Sequence, residues 1–408
     1  MGTTQFWLLR SKALVVVAFA AMLVPASWAA SNGKLVYSFT GGDDGGDPAS
    51  GLVFDTVGNA YGTTVVGGTF GCGTVFQLTP LANGKWRENV LWVFNCVDGK
   101  NPYGGVTLDA SGNLYGTTVA GGSGGACVGD GCGTVYELTE SGTAWSKSVL
   151  YNFTGEDDGF GPGGGVAFDS VGNLYGTTPD GGQYSSGVVY ELSLTQNGQW
   201  QQTVIHAFTG GADGSVGSLG LLLFHGGNFY GVSELGGVHS AGTVFQLSPV
   251  SGGGWKFSTL YAFKGQPDAA FPYGGLIADA AGSLYGTSYF GGASGAGAVF
   301  KLDATLKKEV VLYSFKGGTD GSNPTSTLVF DMAGNLYGTA TAGGDPGCAC
   351  GTVFELSPGK ETTLHRFTNS PDGASPGYGL SPDPKGNLFS TTLVGGAEGQ
   401  GIVFSFTP

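Results

Sequence analysis

Most of the acids in this chain recur at a fixed interval, so the places where the pattern breaks are the first candidates for chemistry. Asp55, Asp109, Asp169, Asp331 and Asp383 each open a D-x-x-G-N stretch, and Asp279 opens the same stretch with Ser283 for the asparagine. An aspartate so placed accepts hydrogen bonds from turn amides while glycine takes the positive backbone angle. A second acid recurs in Asp43-Asp44-Gly45, Asp98-Gly99, Asp157-Asp158-Gly159, Asp213-Gly214, Asp268, Asp320-Gly321 and Asp372-Gly373. Carboxylates in this number could hold Ca2+, since hard cations gather several oxygens. The D-x-D-x-D-G spacing of a helix-loop-helix calcium site is absent, however, and one acid per copy supplies few ligands at any one point, so turn chemistry is the stronger reading.

One copy departs from the series. It has Phe224 and His225 where the others keep the first acid, and Glu234 and His239 flank its Gly236-Gly237 loop. Asp180 in the copy before it and Tyr289-Phe290 in the copy after it are expected on the same face. Aromatic rings stack on the apolar faces of sugars and carboxylates take their hydroxyls, which makes Asp180, Glu234, His239, Tyr289 and Phe290 a candidate ligand site. The competing reading is drift within a repeat. Asp180, Glu234, His225 and His239 could also supply the acid and base of glycoside cleavage. The four histidines, His206, His225, His239 and His365, do not recur at one position, and no serine sits in a nucleophile elbow, so no catalytic residue is assigned. Two classes stay open. The favoured one is a non-catalytic binding or scaffold protein recognising glycan or protein through a loop face; the alternative is a polysaccharide-cleaving hydrolase or lyase.

The six cysteines are even in number and lie in loops, which suits an oxidising compartment. Cys72, Cys132 and Cys350 share a repeat position. Cys72 with Cys96 is a geometrically sensible bridge, and Cys127 with Cys132 and Cys348 with Cys350 are the other proposed pairs. Zinc is the rival, but C-x-C and C-x4-C without paired histidines lack its usual ligand geometry.

Seven copies of one pattern position these groups: G-[LV]-x-x-D-x-x-G-N-[LA]-Y-G-T-T-x-x-G-G, a short loop, then G-T-V-[FY]-x-L. They begin at Gly51, Gly105, Gly165, Gly220, Gly275, Thr327 and Gly379, at intervals of 52–60 residues. In the first copy, Leu52 to Phe54, Ala60 to Val65, Thr74 to Leu78 and Val90 to Phe94 read as four antiparallel strands, which is one propeller blade. Glycine after the strand tyrosine, as in Tyr61-Gly62, predicts close backbone approach, and the tyrosines read as packing between blades. Trp86, Trp145, Trp200 and Trp255 share a position before the fourth strand and read as braces for long loops. The seventh copy stops after its third strand, while Leu35-Val36-Tyr37-Ser38-Phe39-Thr40-Gly41 matches a fourth strand that stands alone before the first copy. The expectation is an all-β, seven-bladed β-propeller closed by an N-terminal strand that completes the last blade, because closure removes open sheet edges.

Arg10 and Lys12 precede an apolar run, Ala13 to Val24, and small residues at Ser27 and Ala29. This pattern predicts a signal peptide over residues 1–29 and one propeller domain over 30–408, with no membrane span once the signal is removed. The expected location is secreted, periplasmic or extracellular, and the expected state a monomer. With 80 glycines and a net charge of −14, the chain is poorly suited to phosphate backbones, so nucleic acid is excluded as a partner.

The recurring G-N-L-Y-G-T-T followed by G-G and G-T-V-[FY]-x-L, as in Gly112 to Thr118 with Gly133 to Leu138, resembles the Gloeo/Verruco (GloVer) tandem repeat of exported bacterial proteins. The resemblance implies export and carries no activity to particular residues. Some members of that family bear surface-anchoring tails; this chain ends inside the expected propeller, which points to release.

Overall fold

A computed structural model describes residues 33–408, apart from 128, 143 and 217–219. The expected signal peptide lies outside the described residues. Seven small antiparallel sheets form a seven-bladed β-propeller. Blade one is typical, with Val53–Phe54, Ala60–Thr64, Thr74–Pro80 and Trp86–Val93 paired in that order from the axis outward. Its second strand is buried along its whole length, as a sheet packed on both faces requires.

The innermost strand is broken in blades five and six, which the repeat pattern does not announce. In blade five it splits into Ala269–Pro272 and Ile277–Ala278, both paired to Leu284–Gly291. The first half ends in an x-Pro pair, Phe271-Pro272, with residues 273–276 between the halves. The residue before the proline takes a left-handed backbone at Asp47, Asn101, Phe271, Asn323 and Ser375, with φ between 54° and 57°. Each of these residues donates its N–H to a carbonyl of the preceding blade; Phe271 reaches Ala241 and Asn323 reaches Ala296, both at 2.8 Å. The unusual conformation therefore stitches neighbouring blades together.

Gly33–Ser38 lies antiparallel to Ile402–Phe406, with Gly33 opposite Phe406 and Ser38 opposite Ile402. Blade seven thus has four strands drawn from both ends of the described chain. The seam between blades seven and one is bonded like the others: Asp47 donates its N–H to Gln400 O at 2.9 Å, and Thr391 Oγ1 donates to Ser50 O at 2.9 Å.

Seven apolar clusters hold the propeller, each spanning two adjacent blades. A phenylalanine after each outer strand meets an aromatic ring on the third strand of the next blade. The pairs are Phe39–Phe76, Phe94–Tyr136, Phe153–Tyr190, Phe208–Phe245, Phe263–Phe300, Phe315–Phe354 and Phe367–Phe404, with centroids 4.9 to 5.5 Å apart. These edge-on contacts are the favoured geometry for aromatic quadrupoles. The glycine after the strand tyrosine makes room for that third-strand ring, rather than for a neighbouring backbone. A Cβ on Gly176 would stand 2.3 Å from Tyr190 Oη, and one on Gly62 would stand 2.6 Å from Phe76 Cζ. Gly176→Ala is expected to cost about 1–3 kcal/mol by overpacking, read as a lower denaturation midpoint with unchanged denaturant slope.

The tryptophans also work across blade boundaries and not as loop braces. Trp86 packs on Phe389, Trp145 on Tyr61 and Trp255 on Tyr175, each one blade back, and Trp255 Nε1 donates to Tyr175 Oη at 3.3 Å. All three proposed disulfides are formed: Cys72–Cys96, Cys127–Cys132 and Cys348–Cys350. Cys72–Cys96 closes the longest loop, with a sequence separation of 24. Replacing both cysteines by serine is expected to cost about 2–4 kcal/mol, seen as a denaturation midpoint below that of the oxidised wild type.

Candidate functional site

Both recurring acids are occupied by their own loops. Asp55 Oδ1 accepts the amides of Val57 and Asn59, and its Oδ2 accepts Asn59 Nδ2 at 2.7 Å and the Tyr61 hydroxyl at 3.1 Å. The strand tyrosine therefore packs between blades and also ties down the turn acid. In the second series, Asp158 takes the Thr154 amide at 2.8 Å and the Tyr151 hydroxyl at 2.9 Å. His206 and His365 stand in for that tyrosine, bonding Asp213 at 3.0 Å and Asp372 at 3.1 Å. Two of the four histidines thus do share a repeat position, contrary to the sequence reading. The signal was a fixed offset of seven residues to the acid, as for Tyr151 and Asp158, which a search for recurring histidine alone passes over.

The cavity that remains open lies at one mouth of the axial channel. Four residues at one repeat position line this mouth, Glu234, Tyr289, Thr341 and Leu393, while Val65, Val119 and Pro179 hold that position in the other blades. Glu234 is the single charge in the series. Blades four to seven open there into a cavity of about 620 Å³, lined by Glu234, Phe271, Tyr273, Tyr289, Phe290 and Tyr378 among others. A volume of this order suits a small ligand or a side chain with its flanks. Deeper in the axis, Tyr103, Tyr273 and Tyr378 border a narrower space of about 240 Å³.

Four rings from blade five form one wall. Centroids are 4.7 Å apart for Tyr289–Phe290, 5.8 Å for Phe271–Phe290 and 6.4 Å for Tyr273–Tyr289. Burial pushes the Glu234 carboxyl above its ordinary range. Burial, followed by the nearby Glu234 carboxylate, raises the Tyr273 phenol. Tyr378 is likewise raised by burial, with Tyr273 and Tyr103 adding to it. The site is therefore a desolvated, anionic, aromatic mouth.

Of the residues singled out from sequence, Glu234, Tyr289 and Phe290 come together at this cavity. Asp180 and His239 are exposed and outside its lining. Asp180 stands one residue beyond the lining register, at the position Phe290 holds in blade five. His225 sits at the opposite end of the strand Asn228–Ser233 from Glu234, because successive hairpin turns fall on opposite faces of the propeller. Phe271, Tyr273 and Tyr378 escaped sequence reading. They lie in the x-Pro segments ahead of the copies, where the position of Tyr273 is Ala49, Tyr103, Gly163, Thr325 and Gly377 in the aligned segments.

Fold and mouth together define a repeat-built β-propeller with an open aromatic cavity at one end of its axis. The chain belongs to the Gloeobacter/Verrucomicrobia repeat family, whose model matches residues 122–347 and 252–408. No curated protein matches it in sequence. Among solved structures it is similar to a putative 6-phosphogluconolactonase from Bacteroides uniformis, at 14% identity and a TM-score of 0.50, over 81% of this chain and 88% of that one. It is also similar to a protein of unknown function from Dyadobacter fermentans, at 8% identity and TM-score 0.47, over 91% and 96%. A third likeness is TolB from Acinetobacter baumannii, at 14% identity and TM-score 0.42, covering 75% of this chain and 63% of the length of TolB. Likeness at this level concerns the fold alone.

Proposed function

We propose that this chain is an exported binding propeller, without catalysis, that takes a glycan or protein ligand at the aromatic mouth between blades four and seven. The observation that carries the reading is the 620 Å³ cavity whose wall is built from Phe271, Tyr273, Tyr289 and Phe290, since convergent aromatic rings bury ligand surface at low entropic cost. Hydrolysis of a polysaccharide needs two cooperating carboxyl groups, and Glu234 is the one carboxylate in the cavity lining. Three disulfides, together with the leader-like residues 1–29, support export, and no helix among the described residues is long and apolar enough to cross a membrane.

The test is a glycan array and a peptide library probed in parallel with the wild type and with Tyr289→Ala/Phe290→Ala. A specific ligand lost by at least about tenfold in the double variant supports the mouth, since buried interfacial aromatics commonly carry over 1.4 kcal/mol each. A ligand held equally by both proteins places recognition elsewhere. Turnover of a bound glycan that is abolished in Glu234→Gln overturns the non-catalytic reading.

A further inference from the structure

We infer that the mouth recognises a cationic side chain, the ammonium of lysine or the guanidinium of arginine, presented on a segment of a partner protein. This inference rests on the binding reading above and names its ligand chemistry.

Glu234 is half-buried, and among the described residues it has no hydrogen-bond or ion-pair partner. Neither lysine nor arginine lines the cavity. A desolvated carboxylate without a counter-ion is costly, and a ligand that brings a positive charge relieves that cost on binding. Beside it, Tyr273 and Tyr289 offer ring faces within one cavity, the arrangement that attracts a desolvated cation through the aromatic quadrupole. An anionic ligand meets repulsion from Glu234 and from a chain of net charge −14.

A neutral sugar fits less well. Its hydroxyls require several polar partners, and two of the cavity's three small hydroxyls already donate elsewhere: Thr325 Oγ1 to Gly377 O at 2.9 Å and Thr341 Oγ1 to Asn323 O at 2.8 Å. The rim argues for a macromolecular source. Leu235 is 44% exposed and Phe290 46%, an apolar border that suits the flanks of an extended peptide better than a free, strongly hydrated amine.

The experiment is calorimetric titration of the full mature chain with three pentapeptides, Gly-Gly-X-Gly-Gly, capped at both ends, where X is arginine, lysine or citrulline. Citrulline keeps the shape of arginine without its charge. The expected result is binding of the arginine and lysine peptides, weakened at least about tenfold by citrulline and by Glu234→Gln. Equal binding of citrulline, or binding unchanged by Glu234→Gln, overturns the inference. The citrulline comparison needs no altered protein, so a folding defect in the variant cannot mask the answer. A neutral chitin hexamer is titrated alongside. If it binds and is lost in Tyr289→Ala while the charged peptides fail, the cation inference falls and the binding mouth stands. If no probe binds and the mouth double variant changes nothing in the array, both fall.

Discussion

Deleting Leu35 to Thr40 is expected to unfold the whole propeller in one cooperative step, not to loosen one blade. The deletion removes the strand paired with Ile402–Phe406 and also Phe39, whose ring packs on Phe76 of blade one. Phe39 is fully buried. Burying a side chain of this kind contributes about 1.5–3 kcal/mol, and the lost strand adds several more apolar groups and ladder bonds. The sum is comparable to the roughly 5–15 kcal/mol that holds a typical domain. A graded version avoids total loss: Phe39→Ala and Phe94→Ala are expected to cost about 3–5 kcal/mol each, alike because the seam uses the same aromatic contact as an interior boundary. Circular dichroism melts read all three, and a deletion variant that melts with the wild type would falsify the closed circle.

The second large effect is a fall in stability as pH rises from about 5 to 8. Opposite the third-strand leucine of blades one, five and six, the outer strand carries Glu88, Glu309 and Glu361, against an acid of the preceding connection. Burial first, and then Asp44, pushes the Glu88 carboxyl up to about 7. Burial and the neighbouring Asp268 push Glu309 up to about 8. Glu361 is raised by burial and Asp320. A folded pKa above the unfolded one means that the folded chain holds the proton more tightly. The stabilisation is complete below the unfolded value near 4.5 and is lost as pH climbs through 7 to 8. His206, lowered by burial, opposes the trend by one group. Because the glutamates are only partly buried, solvent screening holds the combined effect to a few kcal/mol. Denaturant midpoints at pH 5, 6.5 and 8 check it; Glu88→Gln/Glu309→Gln/Glu361→Gln flattens the profile if the cause is right, whereas a flat wild-type profile rejects it. Blade two uses the opposite solution at this position, a buried Lys147 paired with Asp98 at 3.4 Å.

The architecture was legible because seven copies in register place the same strands seven times, and because each cysteine fell at a loop beside its partner. The aromatic staple was partly legible. The Y-G pair pointed to tight packing, but which group filled the space depends on the third-strand ring that faces it, as at Gly176 and Tyr190. The mouth was half legible. Glu234 was found in the copy that departs from the consensus and Tyr289 and Phe290 as residues expected on the same face, but the consensus began at Gly51, after the bend that carries the axial residues. Tyr273 and Tyr378 therefore fell in a stretch without a pattern to break. Asp180 and His239 were included because sequence gives the loop and not the direction of a side chain within it.

The pairing of Gly33–Ser38 with Ile402–Phe406 sets an order of events during synthesis. Gly33–Ser38 is made long before Ile402–Phe406 and must wait, edge open, for it; a contact of such sequence separation slows folding. Until then Gly33–Ser38 is an open edge, and a chain stalled before Ile402 leaves that edge exposed to capture by a second copy.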